Sequence, residues 1–208
     1  MLNSNPFATR FIRPGAIDYL FPAGQSIDSL LAVLRDNHWW GEIIGPHGSG
    51  KSTLVTTLLP ALHAAGRQVI RYVITPDGAG RPECLAPLGA YAQLADHPLD
   101  PSTQLILDGY ERISWWWRRR IQVLCRKRGT GLLVTAHQPL GLPPLVVAEP
   151  TEQIAQQVVQ RLLPSGDTSI TTADISAAFA RTDGNLRETL FALFDVYQSR
   201  RAIEDSLG

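Results

Sequence analysis

Hydrophobic positions change period several times along the chain, and those changes outline the elements. WWGEIIG, Trp39 to Gly45, reads as a strand running into a Gly-rich turn, and QVIRYVIT, Gln68 to Thr75, as a second, partly alternating strand. QLILDG (Gln104 to Gly109) and GLLVTAH (Gly131 to His137) are continuously apolar, as strands covered on both faces of a parallel sheet should be. LVVAEP, Leu145 to Pro150, is a fifth candidate strand. Helical spacing fills the intervals. A short amphipathic helix is predicted over Asp28 to Leu34, another over Ser52 to Ala65 closed by Gly66, and a third over Ile113 to Arg128 closed by Gly129. Residues 76–103 are Pro/Gly-rich and weakly patterned, with PLGAYAQLA as a candidate short helix; so long a connection usually carries function or mobility.

After Pro150 the strand signals stop. Thr151 is placed to cap a helix running to about Leu163. Thr171, with Asp174 three residues on, forms a capping-box pattern for a helix to about Thr182. Gly184 precedes a third helix, Asn185 to about Ile203, whose Leu186, Leu190, Leu193 and Tyr197 share one face. Strands alternating with crossover helices, followed by helices alone, predict a three-layer α/β domain with a parallel sheet and a small C-terminal all-helical domain. The boundaries fall at 1–36 for an N-terminal extension, 37–150 for the sheet domain and 151–208 for the helices.

A length of 208 residues allows one sizeable core with a small appendage, and 44% hydrophobic residues argue against overall disorder. The 19 Lys+Arg against 19 Asp+Glu give zero formal charge, which excludes a strongly basic or acidic chain but not a local basic patch. At 18%, charged residues are sparse enough that part of the surface is expected to depend on a partner or to be poorly soluble. Arginine supplies 17 of the 19 cations; the two lysines are Lys51 and Lys127. Cys84 and Cys125 are too few and too far apart for a disulfide framework or a metal cluster, so reduced thiols in the cytoplasm are expected. The first residues lack the basic-then-apolar order of a signal peptide. No uninterrupted apolar run reaches the roughly 18 residues of a membrane span.

The strongest chemical signal is GPHGSGKS: Gly45, Pro46, His47, Gly48, Ser49, Gly50, Lys51 and Ser52. It matches the G-x-x-x-x-G-K-[ST] phosphate loop in full, between a predicted strand and a predicted helix. Glycines let backbone N–H groups converge on phosphates, and the helix that starts there adds a favourable field. Lys51 would reach the β- and γ-phosphates of ATP, Ser52 would join the Mg²⁺ shell, and Thr53 should lie near the α-phosphate. Asp108 ends the run Leu105-Ile106-Leu107, at the sheet edge where open α/β sheets bind ligands. It is the natural partner of Ser52 around Mg²⁺.

From residue 37 to about 205 this arrangement resembles the AAA+ class of P-loop ATPases. The resemblance makes Gly45 to Ser52 the Walker A loop and Leu105 to Asp108 the Walker B strand. It puts the first sensor on Thr135 with His137 just beyond, and makes Thr151 to Ile203 a helical lid. GNLRE, Gly184 to Glu188, is similar to the family's second sensor motif and would bring Arg187 to the γ-phosphate. Arg187 can also be argued from electrostatics. A cation in the first turn of a helix opposes the terminal field, so a bound phosphate would compensate it, although a salt bridge to Glu188 is an alternative. One departure matters. The family usually has Glu directly after the Walker B Asp; here Gly109 follows, and Glu111 comes late. Glu111 is a candidate general base if the chain turns back after Gly109, with Glu42 a weaker one. His47 lies at a variable loop position without a catalytic expectation.

ERISWWWRRRIQVLCRKRG is the most unusual stretch, with seven cations and no acid from Arg112 to Arg128. At about 100° per residue, Ile113, Trp117, Ile121 and Leu124 face the sheet. Arg112, Trp115, Arg118, Arg119, Gln122 and Arg126 face outward. Three readings stand: arginines paired with nearby acids; an oligomer contact in which Arg126 or Arg128 completes a neighbour's site, as AAA+ proteins do; or contact with nucleic-acid phosphates. The functions that follow are an ATP-binding protein of AAA+ type whose slow or partner-stimulated hydrolysis is coupled to lid closure and assembly, a nucleotide-gated adaptor without turnover, and a small-molecule phosphotransferase. The last would draw its acceptor pocket from residues 76–103, with Asp77 and Arg81.

Overall fold

The computed structural model describes residues 5–22, 24–75, 84–86 and 90–207, with side chains except at 84, 85 and 203–207. Asp77 and Arg81 lie outside the described residues. Strands are β1 (Trp40–Ile44), β2 (Gln68–Ile74), β3 (Cys84–Leu85), β4 (Thr103–Asp108), β5 (Gly131–Ala136) and β6 (Pro144–Val147). They form one sheet in the order β3-β2-β4-β5-β1-β6, every pair parallel. This is the predicted α/β class. All residues of β4 and β5 are buried, which is why both read as unbroken apolar runs. Register sets Val73 beside Asp108 and Leu107 beside Val134, so β2, β4 and β5 end close together at one edge.

The helices are α1 (Thr9–Ile12), α2 (Ile27–Asp36), α3 (Lys51–Ala64), α4 (Ala90–Asp96), α5 (Trp115–Arg128), α6 (Glu152–Leu162), α7 (Thr172–Arg181) and α8 (Leu186–Leu207). Several elements differ from the sequence reading: α1 is not among the predicted helices, and β6 covers Pro144–Val147 rather than 145–150. The short β3, inside the weakly patterned segment, pairs with the end of β2 and carries no apolar run that would announce it. Helix α5 starts at Trp115 rather than Ile113, because a 3-10 turn over Tyr110–Arg112 intervenes and Ile113 is extended. Ile113 is nevertheless fully buried, with Ile121 and Cys125 of α5, against Leu105, Leu107 and Val134 of the sheet. Burial pushes the Cys125 thiol up to about 12, so it sits in the core as an inert thiol.

By packing, the chain forms two compact units. One comprises residues 5–20, Pro46–Thr57 and 148–207; the other comprises Phe21–Gly45 and Leu58–Val147. In the first unit, Phe7 is fully buried among Ala155, Val159, Leu193 and Tyr197, so the N-terminal residues share the core of the last three helices. Leu190, Leu193 and Tyr197 form the buried stripe of α8, with Leu186 half-buried at its start. The second unit holds the sheet. Among the described residues no helix is long and apolar enough to cross a membrane.

The capping signals are realised as written. Thr151 Oγ1 accepts from Ile154 N at 3.2 Å. Thr171 Oγ1 accepts from Asp174 N at 3.2 Å, while Asp174 Oδ2 accepts from Thr171 N at 2.8 Å. Asp174 also takes both guanidinium nitrogens of Arg200, at 2.6 and 2.8 Å, tying the start of α7 to α8. Arg200 and the Thr171 donors hold the Asp174 carboxyl well below the usual carboxylate range despite its partial burial. Stability from such a depressed group is present above its unfolded value, near pH 4, and lost as pH falls through the native value. Asp174→Asn should therefore lower unfolding free energy by about 1 kcal/mol at pH 7. The gap should narrow steadily between pH 5 and pH 2 in urea titrations followed by circular dichroism; a constant gap would contradict the assignment.

Candidate nucleotide-binding site

In the first unit, Ser49 N donates to Pro46 O at 3.4 Å and Lys51 Nζ folds onto Pro46 O at 2.7 Å. Gly48 and Gly50 adopt left-handed backbone, φ +72° and +88°, which the loop's glycines permit at little cost. A Cβ on Gly48 would fall 1.9 Å from Asn185 Oδ1 and 3.2 Å from Arg187 N. The loop backbone thus lies directly against the start of α8, the segment that the resemblance singles out. Asn185 Oδ1 caps that helix by accepting from Glu188 N at 3.2 Å. Arg187 is exposed in the first turn of α8, its guanidinium 5.6 Å from the centre of the Phe191 ring, and makes no ion pair with Glu188.

Within the loop, the Ser49 hydroxyl is buried and has no hydrogen-bond partner among the described residues. An orphaned polar group in a glycine loop at a helix start suits an anionic oxygen. Ser52 and Thr53, in the first turn of α3, are half-buried, and His47 is exposed. Sequence reasoning missed Tyr19. Its N–H donates to Thr57 Oγ1 at 3.4 Å, and a Cβ on Gly50 would meet its ring at 3.5 Å. Burial raises the pKa of its phenol. No local motif announces Tyr19, because a contact made by a distant, turn-rich segment has no sequence period.

In the second unit, the polar groups collect where β4 and β5 end. Asp108 Oδ1 accepts from Thr135 Oγ1 at 2.6 Å, and Thr135 Oγ1 in turn accepts from Gly109 N at 2.9 Å. Asp108 Oδ2 pairs with Arg71 Nη2 at 3.3 Å. No motif points to Arg71; it lies on the neighbouring strand and supplies a counter-charge for a carboxylate that is 9% exposed. Gly109 has φ +86°, and a Cβ there would approach Ile74 O to 3.3 Å. The left-handed residue ends the strand and starts the 3-10 turn, so the chain does turn back. Glu111 Oε1 then lies 3.4 Å from His137 Nδ1, just past β5, while Glu111 Oε2 is buried with no partner among the described residues. Glu42 is committed elsewhere: 2% exposed, it accepts from Leu140 N at 2.9 Å, a structural role.

None of the seven cations from Arg112 to Arg128 pairs with a carboxylate among the described residues. Arg120 covers the Tyr91 and Trp117 rings, Arg126 covers Trp40, and Arg128 donates to His97 O at 2.6 Å and Ala95 O at 3.1 Å. Arg126 and Arg128, the candidates for acting on a neighbour, thus already contact groups of their own chain. No cluster of three or more His, Cys, Asp or Glu among the described residues can hold a metal alone.

Packing of the loop against α8 generates a prediction. Gly48→Ala must displace the Asn185 cap as well as strain a left-handed backbone, so it should cost roughly 2 kcal/mol. In the double variant with Asn185→Ala the cap is removed only once, and the combined cost should fall short of the sum by about 1 kcal/mol. Thermal or urea unfolding of the four proteins in the cycle measures this; strict additivity would mean that the loop and the cap do not touch.

Neither a protein family nor a curated protein matches this sequence. Among solved structures, the crystal structure of Cdc6p from Pyrobaculum aerophilum superposes with a TM-score of 0.59 at 16% identity, covering 95% of this chain and 66% of that one. The structure of C. elegans PCH-2 gives a TM-score of 0.42 at 11% identity, covering 85% of this chain and 68% of that one. This chain therefore spans just under two thirds of the Cdc6p chain. At such identity the likeness to Cdc6p is one of fold: an α/β architecture with a parallel sheet, flanking helices and a C-terminal helical region.

Proposed function

We propose that the protein binds ATP with Mg²⁺ through the Gly45 to Ser52 loop and hydrolyses it slowly, in the service of a protein partner or self-assembly in the cytoplasm. The observation that carries this reading is the loop itself: a complete glycine phosphate loop at a helix start, with an orphaned Ser49 hydroxyl, packed against the helix that bears Arg187. Lys51 would leave Pro46 O for the β- and γ-phosphates, and Arg187 would answer the γ-phosphate. Ser52 and Asp108 would hold Mg²⁺, whose chemistry there is to neutralise phosphate charge. Residues 37–150 would then act as the nucleotide-binding domain, 151–208 as a lid, and 1–36 as an extension.

For hydrolysis, Glu111 is the base this chain offers. Its carboxylate would accept a proton from the water that attacks the γ-phosphorus as the bond to the ADP oxygen breaks, giving ADP and inorganic phosphate. His137, 3.4 Å from Glu111 Oε1, would orient that carboxylate, and Thr135 would fix Asp108. A second reading, a nucleotide-gated adaptor without turnover, is favoured by Gly109 itself. Its positive φ makes that position costly for the glutamate usual in AAA+ proteins.

Two variants separate these readings. Lys51→Ala should weaken binding of a fluorescent ATP analogue at least about tenfold, as removal of one charge-assisted hydrogen bond implies. An unchanged affinity would remove the phosphate-loop argument. Glu111→Gln should bind ATP as wild type does yet release phosphate about 100-fold more slowly. Equal rates would exclude Glu111 as the base, and phosphate release at background in wild type, with or without partner, would select the adaptor.

A further inference from the structure

Trp115 and Trp116 open α5 with 62% and 71% of their surface in water, the most exposed large apolar side chains among the described residues. Their rings meet edge to face, centroids 4.9 Å apart, so each supports the other while most of both stays accessible. Such exposure is unusual for Trp and marks a contact surface. Along α5 itself the charge has one sign. Arg112, Arg119 and Lys127 are exposed, with no carboxylate partner among the described residues. Arg119 is four residues from Trp115 and three from Trp116, so it flanks both rings on the helix surface. Val123 and Lys127 continue the stripe through Trp116. The first turn of α5 carries no acid and no side-chain cap from Ser114, so its N–H groups add to the positive field.

We propose that this face binds single-stranded nucleic acid, with bases stacking on Trp115 and Trp116 and phosphates held by Arg112, Arg119 and Lys127. Stacking suits flat rings accessible in water, because every unpaired base offers a π-face, and the phosphate charge matches a helix whose sequence carries no acid. A bilayer would need a long apolar face to sink into. That face of α5, with Ile121 and Cys125 at its centre and Trp117 and Leu124 beside them, is spent on the sheet core. Duplex DNA fits less well, since the base faces that indoles would cover are stacked inside the helix. The surface is made by α5 and the turn that ends at Arg112, all within the second unit, and its test needs no ATP, so the proposal stands apart from the nucleotide reading.

The probe is a fluorescein-labelled 20-nucleotide oligothymidylate, followed by anisotropy at several salt concentrations with no ATP present. Wild type should bind at low salt and quench its own tryptophan emission. Trp115→Ala with Trp116→Ala should weaken binding about tenfold per ring removed, while leaving the salt slope nearly unchanged. Arg119→Gln with Lys127→Gln should weaken binding and flatten the slope by about 0.7 for each phosphate no longer neutralised. All four side chains are exposed, so the variants should melt with wild type, and melting curves verify that each effect is local. Absence of binding by wild type at low salt, or undiminished binding by the tryptophan variant, overturns the proposal. So does a blue shift of tryptophan emission with phosphatidylserine vesicles but not with oligonucleotide, which assigns the face to a membrane. Light scattering that shows an oligomer abolished by the tryptophan variant, without oligonucleotide binding, assigns it to a second copy of the chain.

Discussion

Two strands without a solvent face impose the main constraint on this molecule. Every residue of β4 and β5 is buried, so the sheet must be covered on both sides and its neighbours joined by crossovers. Polar side chains are therefore displaced to the strand ends, and the chemistry of the sheet collects there. Asp108 closes β4, Thr135 lies one residue before the end of β5, and the hydrogen bond between them at 2.6 Å satisfies two buried polar groups at once. Arg71 completes the set from β2. An uncompensated carboxylate at that depth would cost several kcal/mol, so the cluster is a condition of the fold as much as a candidate for chemistry.

Gly109 follows from the same crowding. With Asp108 fixed by its two partners, the next residue turns away through left-handed backbone, its N–H held by Thr135 Oγ1 and Ile74 O close beside it. The turn sends Glu111 back toward His137. A carboxylate thus reaches the end of β5 by a detour of three residues. In the first unit a comparable economy operates. Asn185 caps α8 and at the same time presses on Gly48, so the glycine of the loop is needed by the helix packed against it as well as by any phosphate.

Much of this was legible because it is local. The glycine-rich loop from Gly45 to Ser52 is contiguous, the capping box of Thr171 and Asp174 spans four residues, and the apolar runs of β4 and β5 announce their own burial. The glycines at 66, 109 and 129 stand where the backbone turns left-handed. What could not be read is contact between segments far apart in sequence. Tyr19 against Gly50, Arg71 against Asp108 and the commitment of Glu42 to Leu140 N all depend on chain paths that no period encodes. The short β3 is a strand only because β2 offers it an edge.

The Trp/Arg helix divides the two kinds of information most clearly. By itself the sequence determined that α5 is amphipathic, cationic and free of acids, because side-chain chemistry and helical spacing are properties of the chain. Only the tertiary structure decided which cations remain available. Arg120, Arg126 and Arg128 are taken up by rings and carbonyls of the sheet unit, while Trp115, Trp116, Arg119 and Lys127 are left to water. The reason is geometric. A helix docked on a sheet has one face to bury, and which residues fall beside it depends on where the helix begins, a point set by the turn after Gly109 rather than by the helix's own residues.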